Sequence, residues 1–135
     1  MKLAATAALA LSMAMLAPPA SAQQRDLAEP EIELLAEMLA MGDVCIDVAD
    51  FRVRRDRLHS WMTTYLAQVN DADMEAVLSR REAKQATLRS NVAAMQQMSG
   101  GSRQRDAVDN HYAGLTGRCL RLSQNSLAQE YFIYR

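Results

Sequence analysis

Apolar residues recur every three or four positions through most of the chain beyond residue 29, the spacing of one face of an α-helix. The first such stretch carries Ile32, Leu34, Leu35, Met38, Leu39 and Met41. Pro30 suits a first turn, where its missing N–H would be unpaired anyway. Glu29, Glu31 and Glu33 put negative charge at the positive helix end. With Gly42 as a stop, a helix over 30–41 is predicted. The strongest periodicity follows: Val44, Val48, Phe51, Arg55, Leu58, Met62, Tyr65 and Val69 step by four and three, with only Arg55 polar. It predicts one helix over 44–69, capped by Asp43. Fused with the first, that helix would span ~60 Å at about 1.5 Å per residue. This is too long for so small a chain, so a break is expected at Gly42-Asp43.

Asn70-Asp71-Ala72-Asp73 is a turn with a ready N-cap. A third helix is predicted over 72–98 from Met74, Leu78, Leu88, Val92 and Met95, with Arg81 and Gln85 polar in its middle. Ser99-Gly100-Gly101-Ser102 ends it. A fourth starts near Arg103 and carries Val108, Tyr112, Leu115, Cys119 and Leu122. Gly114 and Gly117 within it each cost about 1 kcal/mol relative to Ala, which points to a backbone packed closely there. The aromatic run Tyr131, Phe132, Ile133, Tyr134 is expected to fold back onto the core, and residues 23–28 to form a loose tail. Few glycines and prolines, with much Ala, Leu, Met, Gln and Arg, agree with an all-α chain. The fold expected is a compact, mostly antiparallel four-helix bundle forming a single domain over 23–135.

Ahead of that domain the pattern changes. Lys2, an apolar run from Leu3 to Ala17 and then Ala20-Ser21-Ala22 follow the order of a secretory signal peptide over residues 1–22. Cleavage is expected after Ala22. The run is short of the roughly 20 residues that cross a bilayer, so no membrane insertion is expected once it is removed. Gln23 at the new terminus gives no lipid attachment site. The short Ala-rich leader is of the bacterial kind, and the expected address is periplasmic or secreted. Beyond residue 22 the chain carries one Lys, thirteen Arg and sixteen acids. A balance so near neutral argues against nucleic acid or an anionic membrane surface as partner.

In an oxidising compartment Cys45 and Cys119 are expected to form an interhelical disulfide. The closed loop has about 75 residues, for which loop entropy gives ~4–4.5 kcal/mol. Neither C-x-x-C nor C-x-x-C-H occurs, which excludes the usual redox pair and covalent haem.

Other residues that could carry chemistry read more plainly as structure. Met38/Met41 and Met95/Met98 form two M-x-x-M pairs, soft-ligand candidates for Cu(I), although methionine also fills helical cores. Asp43, Asp47 and Asp50 would lie on one helix flank with Arg54 among them, a self-neutralised surface. Arg52, Arg54, Arg55 and Arg57 would spread around a helix and form no single anion-binding face. Arg55, on the apolar seam, is expected to pair with Glu82 at mid-bundle, because a buried charge without a partner is costly. His59 and His111 have no elbow, strand or glycine-rich loop to present them for catalysis. No catalytic residue and no cofactor is expected. The function that fits is a small exported helical protein, a non-enzymatic protein-interaction or structural module whose protein partner the sequence does not identify. The alternative is a periplasmic copper-binding protein using the Met-x-x-Met pairs.

Overall fold

In the computed structural model, residues 24–135 are described. The signal peptide reading lies outside them. Helix α1 runs Glu29–Met41 with Pro30 in its first turn and buries Ile32, Leu35, Met38 and Met41. Helix α3 runs Asp71–Gln96, and the Asn70 side chain caps it by accepting from the Asp73 N–H at 2.8 Å. Helix α4 runs Ser102–Gln124, entered through Gly101 at φ 99°, a left-handed conformation that suits glycine.

The expected single helix over 44–69 is broken. A short 3₁₀ turn at Cys45–Asp47 is followed by strand β1, Phe51–Val53, and only then by helix α2, Arg55–Leu66. Asp50, at φ 67°, reverses the chain ahead of the strand. β1 pairs antiparallel with β2, Phe132–Tyr134, so the aromatic C-terminal run does fold back, as a strand. Val44, Val48 and Phe51 still point inward, because a turn and a short strand meet the same inward positions that a helix would. Within β1 the alternation is buried Phe51, exposed Arg52, half-buried Val53, the period of a strand. The Phe51 ring lies 5.2 Å from that of Tyr134.

Consecutive helices alternate in direction. α2 runs back along α1, with Leu58 against Gly42 and Tyr65 beside Glu31. α3 runs parallel to α1, Glu29 meeting Arg80 and Glu37 meeting Lys84. α4 returns beside α1, with Arg118 on Glu37. The result is a compact, mostly antiparallel four-helix bundle closed by Cys45–Cys119, whose Cα atoms are 5.8 Å apart. Both cysteines are fully buried in the main core beside Met38, Met41 and Phe132.

The N-terminal segment is tied down instead of loose. Arg25 N–H donates to the Gln68 carbonyl at 2.7 Å, Asn70 N–H donates to the Arg25 carbonyl at 3.1 Å, and Leu27 N–H donates to the Asp73 carboxylate at 2.8 Å. A two-residue bridge of this kind has no periodicity to read. Nor does a neighbouring backbone approach the two mid-helix glycines: a Cβ on Gly114 would meet nothing within 4 Å, and one on Gly117 only the Arg121 guanidinium at 3.6 Å. Gly114→Ala is therefore expected to stabilise the fold by about 0.5–1 kcal/mol, chiefly by narrowing the unfolded ensemble. Urea denaturation measures this, and a loss of stability would mean that the helix there needs glycine.

Candidate functional site

The Arg55–Glu82 pair does not form. α2 begins at Arg55, which places this residue at a helix end and not at mid-bundle. Its exposed guanidinium lies 3.3 Å from Asp43, while Glu82 meets Arg89 at 3.1 Å. The charges at mid-bundle come from other helices. Glu29, Glu33 and Glu37 stand on successive turns of α1 and meet Arg80 and Lys84 of α3 and Arg118 of α4. Their spacing of four residues, matched by Arg80 and Lys84, was the signal in the sequence for this ladder.

Its inner end is the most enclosed. Arg118 donates to Glu37 from Nε at 2.6 Å and from Nη2 at 2.8 Å, a two-pronged pair, and Lys84 Nζ lies 3.1 Å from the same carboxylate. Burial pushes the Glu37 carboxyl up, but Arg118 and then Lys84 outweigh it and hold it below the usual glutamate value. Burial likewise opposes the charge on Lys84, and its bonds to Glu33 and Glu37 raise it above the usual lysine value nonetheless. These groups neutralise one another, and the ladder reads as a fastening between three helices. On α3 Arg81 keeps Nε out of water without a hydrogen-bond partner, and nothing in the structure explains this.

The methionine pairs do not form one site. Met38 and Met41 are sealed in the core, whereas Met95 is half-buried and Met98 exposed at the far end of α3. The aspartates do not share a helix flank either, because Asp47 lies in the 3₁₀ turn and Asp50 in the reversal before β1. Among the described residues no group of three His, Cys, Asp or Glu is placed to hold a metal ion.

What the bundle leaves open is an apolar groove. α3 has 26 residues and α1 only 13, so the α3–α4 hairpin projects beyond the helix that covers its lower half. No residue from 89 to 114 is buried. Where the hairpin leaves the core, Val44 and Val48 on one side and Leu88, Val92, Tyr112 and Leu115 on the other enclose about 490 Å³. Val92 is 39% exposed and Tyr112 57%. Asp43, Asp47, Arg89 and His111 lie on the rim. Asp43 and Arg89 are engaged with Arg55 and Glu82, while Asp47 forms no ion pair among the described residues. The sequence marked these apolar positions as seam; that the seam continues past its cover follows from the unequal helix lengths.

No family model matches this chain, and no curated protein or solved structure matches it. Among the described residues no helix is long and apolar enough to cross a membrane.

Proposed function

We propose that this protein is an exported, non-enzymatic helical module that binds another protein through the groove between the 43–48 segment and the α3–α4 hairpin. The observation that carries this reading is the continuous apolar lining left uncovered at Val92 and Tyr112. Contiguous exposed apolar surface with a polar rim is characteristic of interaction sites. Asp47 on the rim suits a segment that presents an apolar side chain beside a basic one. The leader of residues 1–22 and the disulfide support export, since such bonds persist in oxidising compartments.

A photo-crosslinking residue placed at Tyr112 in producing cells is expected to give a discrete adduct that Val92→Asp abolishes. The same residue at Thr63, an exposed position on α2, is expected to give none. No adduct from position 112, or the same adduct from both positions, would remove the groove reading.

A further inference from the structure

The break in the expected second helix changes what its arginines do. On one continuous helix they would point around the circumference. With residues 51–53 in a strand and α2 starting at Arg55, the residues Arg52, Arg54, Arg55 and Arg57 instead line one cleft of about 450 Å³, with Asp56 as its only acid. All four are exposed. Arg55 is held by Asp43; Arg52, Arg54 and Arg57 form no ion pair among the described residues. The start of α2 adds its own positive field to theirs.

Arg54 and Arg57 also line a second cleft, of about 380 Å³, with Ser60, Trp61, Thr64, Glu130 and Tyr131. The Trp61 ring stacks on Tyr65 at 4.8 Å and lies 5.5 Å from Tyr131, two contacts that hold it in place at the cleft wall. The two clefts share a wall and differ in chemistry. One offers guanidinium forks, which match the oxygens of phosphate or carboxylate. The other offers a fixed aromatic surface beside two hydroxyls and a carboxylate.

We infer that the joined clefts bind an anionic saccharide, with its phosphate or carboxylate on Arg52, Arg54 and Arg57 and its sugar ring against Trp61. A pyranose has an apolar C–H face that packs on an aromatic ring, and a belt of hydroxyls that donate to carboxylates and exchange hydrogen bonds with Ser and Thr. Glu130 and Ser60 supply those partners, and the Thr64 hydroxyl, which donates to the Ser60 carbonyl, can still accept from the sugar. Glu130 also disfavours a ligand that carries negative charge on both halves. This site is separate from the apolar groove and stands or falls independently of it.

Trp61 is the only tryptophan in the chain, so its fluorescence reports on the cleft directly. The full mature protein is titrated with glucose 6-phosphate, glucuronate, glucose, inorganic phosphate and adenosine monophosphate. At least one acid sugar is expected to shift the emission and to bind more tightly than either glucose or phosphate; which one responds identifies the anion. Arg54→Gln with Arg57→Gln is expected to weaken that binding about ten-fold or more, the usual worth of a hydrogen bond to a charged group. Both side chains are exposed and free of internal ion pairs, and an unchanged melting curve verifies that the variant is folded. Silence toward both acid sugars overturns the inference. So does binding of phosphate alone that is as tight as the sugar's, or tighter binding of adenosine monophosphate, which would assign the ring to a base.

Discussion

Replacing Cys45 and Cys119 together by alanine is expected to lower the unfolding free energy by about 4 kcal/mol, the entropy of closing a loop of this size in the unfolded chain. The two residues are 74 positions apart and both fully buried. The bond anchors the 3₁₀ turn Cys45–Asp47, a stretch with little regular structure of its own, to the C-terminal part of α4. Domains of this size are commonly stable by only about 5–15 kcal/mol, so the loss is a large share of the total. Urea denaturation of the oxidised protein, the reduced protein and the double variant gives the number. Each single variant is expected to cost about as much as the double, because all break the same bond. A cost under about 1 kcal/mol would mean that β1–β2 pairing alone fixes the turn, contrary to the chain-entropy account.

Glu37→Gln is the second large effect, about 2 kcal/mol at neutral pH, the scale of hydrogen bonds to charged partners. The substitution keeps the shape and removes the charge, leaving Arg118 without its carboxylate in a place where its side chain is only 23% exposed. Lys84 retains Glu33 and softens the loss. The pH dependence follows from the direction of the shift. The folded carboxyl titrates below its unfolded value, so its contribution is complete above the ordinary glutamate pKa of about 4.3 and is lost as pH falls through the folded value. The gap in stability between the native protein and Glu37→Gln is thus expected to close on acidification. Denaturation curves at neutral and acid pH measure it. A gap that stays constant with pH would show that the Glu37 charge is not what holds α1 to α4.

How much of this was legible depends on how local the cause is. The starts of α1 and α3 could be read because Pro30 and Asn70 act on their own neighbours. The disulfide was readable because only two cysteines exist. The break at 44–53 was not, because Val44, Val48 and Phe51 sit at positions that serve a helix and a turn-plus-strand equally. What decides between them is Phe132–Tyr134, far along the chain, which pairs with Phe51–Val53. Local periodicity carries no trace of a partner so distant. That one misreading also hid the arginine cleft and produced the Arg55–Glu82 expectation. The groove was half legible: its apolar residues stood out, but their exposure depends on where α1 stops.

The pairing of β1 with β2 has a consequence for how the protein is made. Synthesis proceeds from the N-terminal end at roughly 5–20 residues per second, so β1 waits several seconds for its partner strand. Cys45 waits nearly as long for Cys119. For most of that interval α1 has no α4 beside it. β1 therefore keeps an unpaired edge until residues 132–134 have been added, an edge open to any chaperone that grips extended segments.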